Sequence, residues 1–150
     1  MSTYPTSIIT EALFAHLATM PGLATLLQSS ATAPIAYPNH TFAPPKDASG
    51  NSKPYLKVYD LQGPPEGVDI PGRHIRRGGT FQVSVFWPLG VGVIAPREVA
   101  GAIAERFALN TIVERGTQRI RVSEPPMVAG EIIEPDIMSM PVVIRYDVLP

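Results

Sequence analysis

The sequence predicts an α+β fold. A single domain over residues 1–150 would hold a mainly antiparallel or mixed sheet of about five or six strands, with two helices packed on one face. Three observations predict it. Helical apolar spacing occupies two separate stretches, residues 7–20 and 96–107. Period-two alternation recurs at residues 55–61, 80–87, 118–122 and 141–149. In these strands one side is apolar and the other carries polar residues and arginines, so only one face of the sheet needs covering.

In the first helix Ile9, Leu13, His16, Leu17 and Met20 share one side, with Ile8 and Ala12 beside them. Thr6 or Ser7 is placed to cap its start, and Pro21-Gly22 stops it. A short further helical turn fits residues 23–28. From Ala33 the chain reads as extended, and Pro38, with no N–H to donate, makes Ile35-Ala36-Tyr37-Pro38 an edge or an end. Residues 41–54 have the Pro/Gly/Ser composition of a surface loop. In the next strand Leu56 and Val58 face one way and Tyr55, Lys57 and Tyr59 the other. A long loop is expected over residues 63–79, closing on the basic run Arg73-His74-Ile75-Arg76-Arg77.

Phe81, Val83, Val85 and Trp87 then alternate with Thr80, Gln82 and Ser84, and Phe86 breaks the polar side. Pro96 suits the first turn of the second helix. Val99, Ala100, Ile103, Ala104 and Phe107 form its apolar stripe, and Asn110 suits a left-handed cap. Ile120 and Val122 oppose Arg119 and Arg121, and residues 131–134 read as a short strand. In the last strand Val142, Ile144, Tyr146 and Val148 oppose Val143, Arg145, Asp147 and Leu149.

Composition narrows the classes. A length of 150 residues fits one domain, and 45% hydrophobic content is enough for a core. Seventeen prolines beside only 17% charged residues suggest ordered loops rather than a disordered polar chain. A formal net charge of −1 gives no reason to expect nucleic acid over the whole surface. The absence of cysteine excludes disulfides and thiolate chemistry and fits a reducing compartment. The N-terminal residues do not read as a signal peptide, and no apolar run approaches the length of a membrane span, so no membrane partner is expected. Glu11 is the only charged residue before Lys46, which suits a segment lying against the core or a neighbouring subunit.

No catalytic, cofactor or metal constellation emerges. His16, His40 and His74 lie on three different elements without ligand spacing, and His16 on an apolar helix face is read as packed. Neither a G-x-S-x-G elbow nor a P-loop occurs. Gly90-Val91-Gly92-Val93-Ile94-Ala95 does match G-x-G-x-x-A, with Glu114 near the spacing of a ribose-binding acid. Against it, a dinucleotide-binding strand is apolar on both faces whereas this one alternates, and Pro88-Leu89 separate the strand from the first glycine. A turn that needs glycines is the commoner use. The contact candidates are Arg73, His74, Arg76 and Arg77, as an arm meeting an acidic partner or a solvated loop tip, and Phe86, as an interface residue or the rim of the core.

The order of elements carries a family resemblance. An amphipathic helix is followed by Ile35-Ala36-Tyr37-Pro38-Asn39 with Phe42 and Pro44, then Pro54-Tyr55-Leu56-Lys57-Val58. Gly78-Gly79-Thr80-Phe81-Gln82-Val83-Ser84-Val85 comes next, then Pro88 to Gly92 leading into a helix that ends Glu105-Arg106-Phe107, and finally Met140-Pro141-Val142-Val143-Ile144-Arg145-Tyr146. This resembles the tail terminator, or tail completion, proteins of long-tailed bacteriophages. The resemblance implies a structural virion protein of the tail neck, assembled in the host cytoplasm, not an enzyme and without cofactors. Its subunits would form a hexameric ring on the head-proximal end of the tail tube, stop tube polymerisation and offer a surface to the head-side connector or stopper. DNA would be only passing cargo in the channel. Arg119, Arg121 and Arg145 would border that channel or form an ordinary solvated face. The alternatives are another neck component or a tube protein and, more distantly, a nucleotide-binding enzyme using the Gly90–Ala95 turn.

Overall fold

A computed structural model describes residues 2–68, 70 and 75–149. Helix α1 (Pro5–Ala18) begins on Pro5, whose missing N–H costs nothing in a first turn. The expected Thr6 or Ser7 cap is not used. Tyr4 is the N-cap, makes no side-chain cap, and accepts the Ser7 and Ile8 amides on its carbonyl at 3.1 Å each. A single turn, α2 (Leu23–Leu26), follows Pro21-Gly22 and leads to the two-residue β1 (Ile35–Ala36). Then come β2 (Tyr55–Gln62), β3 (Glu66–Gly67) and β4 (Ile75–Trp87). Helix α3 (Ile94–Arg106) starts two residues before Pro96, and Asn110 takes the left-handed conformation just after it, with φ 68°. The remaining strands are β5 (Ile112–Arg115), β6 (Gln118–Val122), β7 (Met127–Val128), β8 (Ile132–Ile133) and β9 (Met138–Leu149).

The α+β expectation holds, but the sheet has nine strands among the described residues rather than five or six. Six run in the order β1-β2-β4-β9-β6-β5, with β3 paired to β4 and with β7 and β8 paired to β9. All pairings are antiparallel except β1 with β2. The additional strands are short, and pieces of two to four residues offer little periodicity to read. The expected loop over residues 63–79 is also corrected. Glu66 pairs with Arg76 and Gly67 with Ile75, so Ile75, Arg76 and Arg77 open β4 as one side of an arm. Arg76, Arg77, Gly78 and Gly79 extend a ladder whose length is set by β9, which faces Arg77 to Trp87. That partner is invisible from the local composition.

Strand β9 is the spine. One edge meets β4, and the other is covered in turn by β6, β7 and β8. Pro141 tolerates this central place because its carbonyl, accepting from the Ala129 amide at 2.8 Å, points to the side where β7 gives way to β8. Its ring nitrogen faces the same gap, so no ladder bond is lost.

Register aligns the apolar sides. Val58 faces Val83, which faces Val142, and Phe81 faces Ile144. Onto this sheet α1 brings Ile9, Leu13 and Leu17, and α3 brings Val99, Ile103 and Phe107, all essentially buried in one cluster. Both helices lie on that face, as the alternation predicted. A fully buried side chain of this size stabilises by roughly 1.5–3 kcal/mol, so the cluster dominates the fold's energetics. Among the described residues no helix covers the other face of the sheet.

Candidate functional site

The uncovered face presents the odd-numbered residues of β2 and β9 and the even-numbered residues of β4. It can be read as rows across the strands. At one end Ile132 lies beside Ser139, Ser139 beside Phe86, and Phe86 beside Tyr55. The Phe86 and Tyr55 rings stack, 4.8 Å apart and 1° from parallel, and Phe42 tilts against Tyr55 at 5.3 Å. An apolar strip therefore crosses four strands, interrupted only by Ser139. Ser139, beneath it, is buried at 8% exposure. Beside the strip runs a groove of about 550 Å³ lined by Tyr37, His40, Phe42, Lys57 and Tyr59. Lys57 Nζ sits 5.5 Å from the centre of the Tyr59 ring, and its hydrogen bond to that phenol raises its pKa. Burial raises those of Tyr55 and Tyr37.

Further along, every arginine expected on this face has an acidic neighbour. Arg121 makes two bonds to Asp147, at 3.1 and 2.7 Å, directly across the ladder. Arg119 lies 3.0 Å from Glu114, again a cross-strand pair, and Arg145 is 3.9 Å from Glu124. These pairs are solvent-facing, so each contributes at most about 1 kcal/mol. Their chemical effect is to leave the centre of the face close to neutral. Sequence order could not show this, because Arg121 and Asp147 are brought together only by the β6–β9 register.

At the far end is the arm. Arg76 is exposed and faces Glu66, while Arg77 is half-buried on the opposite side of the strand. With Gly63, Pro64, Gly78 and Asp147 they line a shallow recess of about 190 Å³. Arg73 and His74 lie outside the described residues. Phe86 is where the alternation put it, on the uncovered face and half-buried by its neighbours. Tyr55, Phe42 and Ile132 are the members of the strip that sequence reasoning did not single out. For Tyr55 the signal was present, since it falls on the outer side of its strand. For Ile132 and Phe42 it was not.

The remaining polar groups serve the fold. His16 Nε2 lies 3.0 Å from the Arg106 carbonyl and its ring meets Phe107 edge-on, so the histidine joins α1 to the end of α3. Burial lowers its pKa. Under the sheet, Asp60 accepts from the Tyr146 hydroxyl at 2.6 Å and from Thr10 at 2.6 Å, with Gln62 at 3.2 Å. Burial first, and then this bond, push the Tyr146 phenol well above its usual range. Among the described residues no group of His, Cys, Asp and Glu could hold a metal, and no helix is long and apolar enough to cross a membrane.

The glycine turn after β4 is a turn that needs glycines. Gly90 and Gly92 have φ of 84° and 81°, which L side chains rarely adopt. The strand before it has antiparallel neighbours on both sides, β2 and β9, so the parallel β-α-β unit that cradles a dinucleotide is not formed.

An α+β sheet with one uncovered face, an apolar row across it and paired surface charges offers a surface for contact with other proteins. The family comparison makes that specific: the model for the phage tail terminator protein matches residues 8–146, and the chain belongs to that family. It is thus a structural protein of a phage tail. One solved chain is 24% identical, covers 99% of this chain and 98% of its own, and superposes with a TM-score of 0.75. Another, from the virion of a native gene transfer agent particle, is 17% identical, covers 98% of each chain and has a TM-score of 0.61. At these identities the two structures speak for the fold. No curated protein matches.

Proposed function

We propose that this protein forms a ring, hexameric by the family resemblance, that caps the head-proximal end of the tail tube. There it stops tube polymerisation and presents a surface to the head-side connector. The observation that carries the reading is the family match across nearly the whole chain. The fold supplies suitable material, since a ring needs two different surfaces on each subunit, and the arm and the aromatic strip are such surfaces. Arg73, His74, Arg76, Arg77 and Phe86 are the proposed contact residues. The face carrying Arg119, Arg121 and Arg145 borders the channel as a near-neutral wall, with DNA as passing cargo and no cofactor required. The protein works in the virion neck after assembly in the host cytoplasm.

The test is electron microscopy of particles made when the gene is disrupted. Overlong tubes with unattached heads are expected. Tubes of normal length that fail to join heads would make the protein a connector instead, and intact particles would overturn the reading.

A further inference from the structure

We propose that β3 and the start of β4, Ile75 to Arg77, of one copy seat on the aromatic strip of a second copy, with Arg76 meeting Glu134 and Asp136 there. The proposal rests on the ring reading above and names the subunit contact that such a ring requires.

The receiving surface is apolar with an acidic border. Ile132 is 50% exposed and shares the row of Phe86 and Tyr55 on the uncovered face. Glu134 and Asp136 follow directly and lie close enough to Tyr55 to act on its titration. Residues 123–144 contain four acids and neither lysine nor arginine. Two of those acids are occupied, Glu131 by Arg97 at 2.9 Å and Glu124 by Arg145. Among the described residues Glu134 and Asp136 have no cation within salt-bridge distance.

The arm has the opposite character. Val68 and Ile75 are 54% and 51% exposed. Its described residues carry two arginines, Arg76 and Arg77, against the one acid Glu66. An apolar surface bordered by acids thus meets an arm whose described residues carry a net positive charge, a complementarity that helps to fix partner and register.

A chain cannot satisfy this contact with itself. Arg76 and Phe86 lie on the same strand, about 33 Å apart at the rise of an extended chain. Donor and acceptor surfaces at opposite ends of one subunit give a heterologous, head-to-tail contact, the kind that closes into a ring when the rotation allows.

The experiment is sedimentation velocity of the full chain and three variants: Arg76→Glu, Glu134→Lys with Asp136→Lys, and the two sets combined. The substituted positions are all exposed, and circular dichroism checks that each variant folds. Each reversal alone is expected to weaken association roughly tenfold or more, and the combination to recover it. A wild-type assembly indifferent to both reversals overturns the contact while the ring reading stands. Loss in both without recovery in the combination shows that the two surfaces do not face each other and also overturns it. A wild-type chain that stays monomeric at every concentration overturns the contact and the ring together.

Discussion

Replacing Tyr146 with Phe tests how the covered face of the sheet is tied to α1. The ring is 3% exposed and its hydroxyl donates to Asp60 at 2.6 Å. A hydrogen bond to a charged acceptor contributes about 1.5–3 kcal/mol. Asp60 keeps Thr10 and Gln62 as donors after the change, so the low end applies, about 1.5 kcal/mol near neutral pH. In urea the midpoint should fall by roughly 0.5–1 M. The pH dependence supplies a second signature. The folded phenol holds its proton far above the ordinary tyrosine range, chiefly through burial, whereas the unfolded phenol loses it near pH 10. Below about pH 10 both states keep the proton and the stabilisation is complete. Above it only the unfolded state releases one, so stability falls by about 1.4 kcal/mol per pH unit. Phenylalanine lacks this loss. The advantage of the wild type over Tyr146→Phe should therefore shrink towards zero at roughly pH 11. Urea unfolding of both proteins from pH 7 to 11 decides it. A variant within about 0.5 kcal/mol of wild type at pH 7, or two curves that stay parallel above pH 10, would refute the reasoning.

Four further outcomes follow from the same structure. Gly79→Ala places a methyl 2.5 Å from the Leu61 carbonyl oxygen and 2.9 Å from Gln62 Cα; thermal unfolding should show a loss of about 2–3 kcal/mol. Phe107→Ala removes a fully buried ring beneath Phe81 and should cost about 3–5 kcal/mol by denaturant titration. Arg121→Ala should leave the denaturation midpoint nearly unchanged, because its pair with Asp147 is partly solvated. His16, whose pKa is lowered by burial, takes up a proton more readily when unfolded, so stability is complete above about pH 6.5 and falls below it; in His16→Gln the slope of unfolding free energy between pH 7 and 5 should flatten.

The longer elements were legible because their periodicity is sustained. Leu56 with Val58, the odd residues of β4 and the even residues of β9 each announce a face, and those faces meet as read. The arm was not legible, because Pro64, Pro65, Gly67 and Gly72 read as loop and the pairing of Glu66 with Arg76 is a tertiary fact. Thr6 and Ser7 looked like caps, but Pro5 already fixes the first turn and shifts the start forward. For the candidate site, sequence supplied single residues: Phe86, the basic run and the outer arginines. What joins Phe86 to Tyr55 and Ile132 is register across four strands, and what neutralises Arg121 is a residue far along the chain. Neither is encoded locally.

Because β9 comes after every other strand in the chain and lies between β4 and β6, the sheet is completed only when this strand has been made. Until then β2 with β4 and β5 with β6 have no strand to join them, and each pair keeps an open edge. Their union depends on contacts between distant parts of the chain, which places the slow step of folding late. It also gives the half-made protein two adhesive edges. In a host cell producing many copies at once, the interval before β9 docks is when one nascent chain is most exposed to another. Substitutions that weaken the fit of Val142 or Ile144 should therefore show first as poor yield of soluble protein, before any defect in the finished particle.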